Sequence, residues 1–374
     1  MKKIKVGFVG AGGMGFNQLE KLSKRKDVEI AALYEKNSSR GKDVLGKLGL
    51  NKNLLVDSFK AVIANPEIDA VWLVSPNSFH GPQSIAAMDA GKHVFCEKPP
   101  ATKYSDFNKQ IDMEAANPEL ITFVDYILNF DTTENRIEKM IADGEFGDIT
   151  QIQVNYRYPI DISGDKIWKL DESIMGDAIG MGINHSLSVM VHLMSSQGQP
   201  SAVYASSSNP GIRNFEADPI WNIFVKFSNG ASGFCFGNID NSNGIDTYHN
   251  VSGTKGGLIL DSQLEDKMKV RYWTEDSTQR NWIMPMDADK CKSSGFENLI
   301  WKEEESRSGE INIIDSCIDH FINAVKNGKK SPLSFINSRV IAEIGWAARM
   351  SASLSKEIKL PLDRDEAESF FESL

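Results

Sequence analysis

The sequence predicts an α/β protein that opens on a doubly wound parallel sheet and closes on an α+β region with a large, mostly antiparallel open sheet. Three observations predict it. A β-branched and aromatic run (Ile4, Val6, Phe8, Val9) breaks into glycines and gives way to Leu19 and Leu22 at helical spacing. Strand-then-helix alternation follows as far as residue 126, and from residue 149 onward longer alternating strands take over. At 374 residues two domains are the natural expectation, here 1–125 and 126–374.

Strand, tight turn and helix make the first unit. Gly10, Gly12 and Gly15 fall on the G-x-G-x-x-G frame, with Ala11, Gly13 and Met14 between them. The first glycine permits the turn, the second lets backbone approach a pyrophosphate, and the third lets helix pack on strand, as in a Rossmann dinucleotide site. The start of the helix then offers unpaired N–H groups to phosphate. Residues 28–34 read as the second strand and end in Glu35, placed to accept the hydroxyls of an adenosine ribose, so NAD is expected. Lys36 and Arg40 follow closely and keep NADP open as the alternative.

A helix over 38–49, a short apolar piece at 54–56 and a helix over 59–64 continue the alternation. Strand 69–75 is apolar on both faces, as a strand covered by helices on both sides should be, and leads into Pro76 and Asn77. Helix 80–90, strand 93–96, helix 104–116 and strand 120–126 follow, then a helix over 132–143. Alternating strands are expected at 150–158, 202–207, 221–227, 231–238, 249–253, 257–261 and 268–273, several of them joined by Asn-Gly or Ser-Gly turns. Helices at 314–327 and 337–354 close the chain, and the polar tail 363–372 ends the last element.

Composition narrows the function classes. The formal charge of -10 argues against nonspecific nucleic-acid binding, which needs basic patches. The densest basic run, KLSKRK at 21–26, sits at a helix end, where cations suit the dipole. Four scattered cysteines (Cys96, Cys235, Cys291, Cys317) form no C-x-x-C and no Cys/His cluster, so reduced thiols, a cytoplasmic setting and no metal are expected. No stretch reaches eighteen uninterrupted apolar residues, so no membrane span is expected. The opening MKKIKVGFVG is broken by glycines and lacks a cleavage site, which makes it a strand rather than a signal peptide.

Ligands of doubly wound sheets sit beyond the carboxyl ends of the strands, where SPNSFH (75–80) and CEKPP (96–100) both fall. A lysine at such a strand end, Lys98, can hydrogen-bond a substrate hydroxyl and favour its alkoxide as hydride leaves, with Glu97 orienting the ammonium.

GAGGMG, the strand-end Glu35, SPNSFH and CEKPP, in that order, resemble the Gfo/Idh/MocA oxidoreductase family. The resemblance covers the whole chain and includes GEFGDI (144–149), GTKGGLILD (253–261) and the closing FINAVKNGKKSPLSFINSRVIAEIGWAARMSAS with IKLPL. It implies a Rossmann domain followed by a domain with a large open sheet, NAD(P) as cofactor, a sugar, polyol or sugar acid as substrate, and a homo-oligomer, dimer or tetramer. In the segment MGDAIGMGINHSLSVMVH (175–192), expected to be one helix, His185 matches the family's catalytic histidine. The family's carboxylate or Asn four residues before it is Met181 here, and the aspartate three after it is Ser188. Asp177 and Asn184 are the candidates to replace the missing partner, whereas His192 is expected to pack internally.

By the same resemblance Ser75, Pro76, Asn77 and His80 form a nicotinamide-ribose loop, with a simple helix start as the alternative for His80. Trp168 stands in a Trp-Lys pair where relatives carry Trp-Arg, Tyr126 and Asn129 line the substrate pocket, and Arg157 with Tyr158 reads a substrate oxygen or simply faces outward. Three readings compete. The first is an NAD(P)-dependent dehydrogenase or reductase acting on CH–OH groups, the second a lyase, hydratase or glycosidase working through transient oxidation, and the third a non-catalytic NAD or sugar sensor.

Overall fold

The structure, a computed structural model, describes residues 3–241, 248–261, 269–274 and 310–373. Two of the expectations above, Met268 as a strand residue and Cys291 as a free thiol, lie outside the described residues. The chain divides into two compact units, one of Met1–Tyr126, Ser173–Gly176 and Ile314–Arg339, the other of Ile127–Glu172, Asp177–Ile313 and Val340–Leu374.

In the first unit β1 (Ile4–Val9), α1 (Gly13–Ser23), β2 (Val28–Tyr34), α2 (Ser38–Lys47), β3 (Leu55–Val56), α3 (Phe59–Ala64), β4 (Ala70–Leu73), α4 (His80–Asp89), β5 (His93–Cys96), α5 (Tyr104–Ala116) and β6 (Thr122–Val124) follow one another. The strands pair in the order β3-β2-β1-β4-β5-β6, each pair parallel, which is the doubly wound order expected of a dinucleotide fold. β4 is buried at every position because helices cover both faces of the sheet. Trp72 stacks on Phe95 with ring centroids 3.7 Å apart, and Phe321 meets both rings edge-on.

The second unit is built on α6 (Thr132–Ala142), β7 (Ile149–Arg157), α7 (Glu172–Met175, shared with the first unit), α8 (Asn184–Leu193), β8 (Pro200–Ser208), β9 (Ile220–Phe227), β10 (Ser232–Asn238), β11 (His249–Gly253), β12 (Gly256–Asp261) and β13 (Lys269–Thr274). α9 (Glu310–Asn327) then runs into the first unit. α10 (Arg339–Leu354), β14 (Ile358–Lys359) and α11 (Arg364–Glu372) end the chain. The eight strands run β13-β12-β11-β7-β10-β9-β8-β14, antiparallel except for β7 with β10. β9 alternates buried and more exposed residues, so one face of the sheet packs while the other stays open. On the packed face α8 lies close enough that a side chain at Gly233 would meet Met190 Sδ at 2.7 Å.

Several expectations need correction. The helix over 38–49 ends at Lys47, because Gly49 adopts a positive φ of 66°. Strand 69–75 contracts to Ala70–Leu73 and strand 120–126 to Thr122–Val124. The tail 363–372 is a helix in its own right, its first turn capped by Asp363, whose Oδ1 accepts from Glu366 N at 2.9 Å. The segment 175–192 is not one α-helix. Gly176, at φ +84°, stops α7, and a π-helical turn at Ile179–Ile183 precedes α8.

Candidate active site

The first unit gathers its candidate residues along one edge, the carboxyl ends of its parallel strands. Gly10 follows β1, Glu35 follows β2, Ser75 stands just beyond β4, and Glu97 and Lys98 follow β5. Two glycines of the turn are sterically required. A Cβ at Gly10 would meet Val74 O at 2.4 Å, and one at Gly15 would meet Gly10 O at 2.3 Å. Gly12 and Gly13 differ, since a Cβ at either would have no protein atom within 4 Å. The open side of the turn thus faces no protein at the N-terminus of α1, whose cap, Gly12, brings no side-chain acceptor to the first N–H groups. A dinucleotide pyrophosphate fits that donor set.

Glu35 is buried and holds the turn. Its Oε2 accepts from Ala11 N at 2.7 Å, and its Oε1 accepts from Asn37 N and from Arg40 Nη2, each at 2.9 Å. A carboxylate offers about four acceptor positions, so Oε2 keeps capacity for a ribose hydroxyl. Arg40, expected to be a candidate for a 2′-phosphate, is the ion-pair partner of that same carboxylate. Lys36 is exposed and Met14 lies 43% exposed beside the turn.

The SPNSFH loop is held rather than presented. His80 is 1% exposed, with Nδ1 2.8 Å from Pro99 O and Nε2 2.7 Å from Ser75 O, so both ring nitrogens are spent on backbone. Burial pushes its pKa down to about 4, against the two carbonyls, which favour the charged ring. The imidazole thereby ties this loop to the CEKPP loop. Asn77 is likewise buried and donates to Met175 O at 2.8 Å, while Ser75 Oγ donates to Gln83 Oε1 at 2.6 Å. Pro76 caps the short turn that leads into α4. Tyr126 is fully buried, and that burial raises its phenol pKa.

Behind Lys98 lies a group of polar side chains that the sequence reading passed over. Gln18 Nε2, on α1, donates to Glu97 Oε1 at 2.9 Å and to Asp125 Oδ2 at 3.1 Å, and Gln18 Oε1 accepts from Trp72 Nε1 at 2.7 Å. A glutamine among the apolar residues of α1 and an aspartate inside the mostly apolar stretch 120–126 were the sequence signals that could have found them.

In the second unit His185 sits in the first turn of α8, partly exposed, its ring 6.0 Å from that of Tyr156. Asp177 Oδ1 accepts from Gly180 N at 2.6 Å and Oδ2 lies 3.4 Å from Arg349 Nη1. Ser188 turns its hydroxyl onto the His185 carbonyl at 2.8 Å. The π turn also alters the register, so Met181 and His185 do not stand one regular α-turn apart. Asn184 donates to Gly180 O at 3.0 Å, while among the described residues neither its buried Oδ1 nor Asn129 Oδ1 has a donor. Trp168 is partly exposed in a 3-10 turn, and Arg157 ends β7 at an exposed position. Among the described residues no three His, Cys, Asp or Glu side chains form a metal-binding group, and no helix is long and apolar enough to cross a membrane.

Comparison with known proteins matches residues 4–126 to the model of an oxidoreductase family with an NAD-binding Rossmann fold, and residues 135–259 to the GFO/IDH/MocA C-terminal domain. Myo-inositol 2-dehydrogenase of Thermotoga maritima is 24% identical over 367 residues, 96% of this chain and 98% of that protein. Inositol 2-dehydrogenase of Corynebacterium glutamicum is 26% identical over 163 residues, 42% of this chain and 47% of that protein. Among solved structures, levoglucosan dehydrogenase in complex with NADH and levoglucosan aligns with a TM-score of 0.78 at 21% identity, over 96% of this chain and 100% of that one.

Proposed function

The chain belongs to the Gfo/Idh/MocA oxidoreductase family, and from that premise we propose that it is an NAD-dependent dehydrogenase that interconverts a secondary alcohol and a ketone on a sugar or polyol. The observation that carries the reading lies within the first unit. The open glycine turn, Glu35 and Lys98 all stand at the carboxyl ends of parallel strands, where dinucleotide folds bind their ligands. The full-length similarity to a myo-inositol 2-dehydrogenase and the fold shared with levoglucosan dehydrogenase favour a cyclic polyol or anhydro sugar.

NAD supplies a hydride acceptor; the chain does the rest. N–H groups at the start of α1 bind the pyrophosphate, and Glu35 accepts from the adenosine ribose. The pairing of Arg40 with Glu35 supports NAD over NADP, since a 2′-phosphate would enter beside a carboxylate. Lys98 donates to the reacting hydroxyl oxygen and stabilises the charge that grows there, while His185 takes the hydroxyl proton. Asn129, Asn184, Arg157 and Tyr126 orient the remaining hydroxyls of the substrate. The protein assembles as a homo-oligomer, which sedimentation velocity on the purified chain reads directly.

The test is NADH formation from a panel containing myo-inositol, other inositols, levoglucosan and aldoses. Net NADH with at least one of them, and tighter binding of NAD than of NADP, is expected. Net NADH from none of them removes the dehydrogenase reading in favour of transient oxidation or sensing, and tighter NADP binding reverses the cofactor preference.

A further inference from the structure

The polar cluster behind Lys98 carries one inference more. Five elements of the first unit meet there: α1 brings Gln18, β4 brings Trp72, the end of β5 brings Cys96, Glu97 and Lys98, the residue after β6 is Asp125, and α9 brings Cys317. The orientation of the Gln18 amide is fixed. Its oxygen faces the Trp72 indole N–H, a group that only donates, so its nitrogen must face the two acids. One nitrogen therefore serves both Glu97 and Asp125, which brings the two carboxyl groups together at a buried place, with Asp125 3% exposed.

The two acids thus face each other around one amide nitrogen, their oxygens 2.9 and 3.1 Å from it. Two like charges that close in a buried place are costly, and with both acids ionised Asp125 Oδ1 has no donor among the described residues. A single proton resolves both difficulties. Its seat follows from the other donors: Glu97 accepts from Gln18 Nε2 and from Lys98 N at 3.2 Å and lies beside the Lys98 ammonium, all of which favour its charged form. Asp125 has the longer of the two Gln18 contacts and the Cys317 thiol, and the Lys98 charge favours its ionised form less than that of Glu97, where it is the first cause after burial.

We propose that Glu97 and Asp125 hold one proton between them, seated on Asp125, so that the pair carries a single negative charge matched to the Lys98 ammonium and Asp125 acts as a positioning residue for Lys98. The remaining titratable groups facing the pair, the Cys96 and Cys317 thiols, are held neutral by burial and by the acids themselves, so they leave this balance intact. Burial, and next the charge on Glu97, push the Asp125 carboxyl well above the ordinary range, in the same direction as the geometry. The consequence for Lys98 rests on the dehydrogenase reading; the proton itself does not.

The experiment separates the two. A proton bound by the fold and released on unfolding makes the native state lose stability as pH rises, tenfold in the unfolding constant per pH unit for one proton. Denaturant unfolding of wild type and Asp125→Asn between pH about 5 and about 8 should show that extra tenfold-per-unit dependence in wild type alone. The infrared spectrum of wild type at pH about 8 should carry a protonated-carboxyl C=O band that shifts in D2O and is missing from the variant. If Asp125→Asn does not fold, the wild-type band decides by itself. Parallel stability curves, or no such band in wild type, overturn the proposal. In the activity assay, Glu97→Gln should move the alkaline limb of the pH–rate profile to lower pH, because Lys98 loses its counter-charge. Asp125→Asn should leave that limb in place, because an amide is as neutral as the acid it replaces. An equal shift in both variants overturns the link to Lys98, while a protein with the linked proton and no dehydrogenase activity overturns only the functional reading.

Discussion

At the scale of single residues, Lys98 and His185 carry the chemistry proposed for the chain. Replacing a positioned acid–base group costs roughly 10²- to 10⁴-fold in rate. Lys98→Met should lower turnover by about that factor and leave NAD affinity, read by fluorescence titration, within a few-fold of wild type; full turnover in the variant removes the role given to Lys98. That Gly10, Glu35 and Lys98 stand just past the ends of β1, β2 and β5 was legible because each follows a short apolar run. The contacts of Asp177 were not legible, because Arg349 is remote in sequence and helical spacing alone reports neither it nor Gly180. Gln18 and Asp125 escaped for the same reason, their significance arising only where five elements meet.

At the scale of elements, periodicity fixed most strands and helices to within a residue or two, because apolar runs bounded by glycine, proline or capping side chains leave little choice. The exception was the stretch before His185. Nothing in the apolar pattern of 175–192 separates a π turn from an α turn, and what the turn packs against is remote in sequence. A Cβ at Gly182 would meet the Tyr156 ring at 2.5 Å, so the π turn passes close over β7 where only glycine fits. Gly182→Ala should therefore cost roughly 1–3 kcal/mol in denaturant unfolding, the usual range for an added methyl group in a packed place. Unchanged stability in that variant contradicts this close fit against Tyr156.

At the scale of the whole molecule, the sequence showed two kinds of sheet and the order in which they come. It did not show that Ile314–Arg339 packs with the first unit, since an amphipathic helix carries no label for the surface it will cover. The ties are long-range ones. Lys21 meets Asp315 at 2.7 Å, Arg25 pairs with Asp319, and Lys326 pairs with Asp27. Burial alone would raise the Asp27 pKa, but hydrogen bonds from Arg25 and Lys326 outweigh it and bring it to about 2 from the usual 3.8. A depressed pKa gives stability that is present above pH 3.8 and is lost as pH falls toward 2. Asp27→Asn should remove that part of the acid sensitivity, so its urea midpoint should change less than that of wild type over the same window. Equal changes would mean that the Lys326 and Arg25 contacts do not hold α9 in solution.

The most direct measurement follows a deuterium atom. A polyol that supports turnover, labelled at its carbinol carbon, is incubated with NAD and the protein, and the recovered nicotinamide is read by proton NMR at C4. Stoichiometric deuterium in NADH, transferred roughly 10²- to 10⁴-fold more slowly by Lys98→Met, is the predicted result. Label that stays in the sugar while the sugar is consumed, or label carried equally by the variant, would contradict net hydride transfer assisted by this lysine.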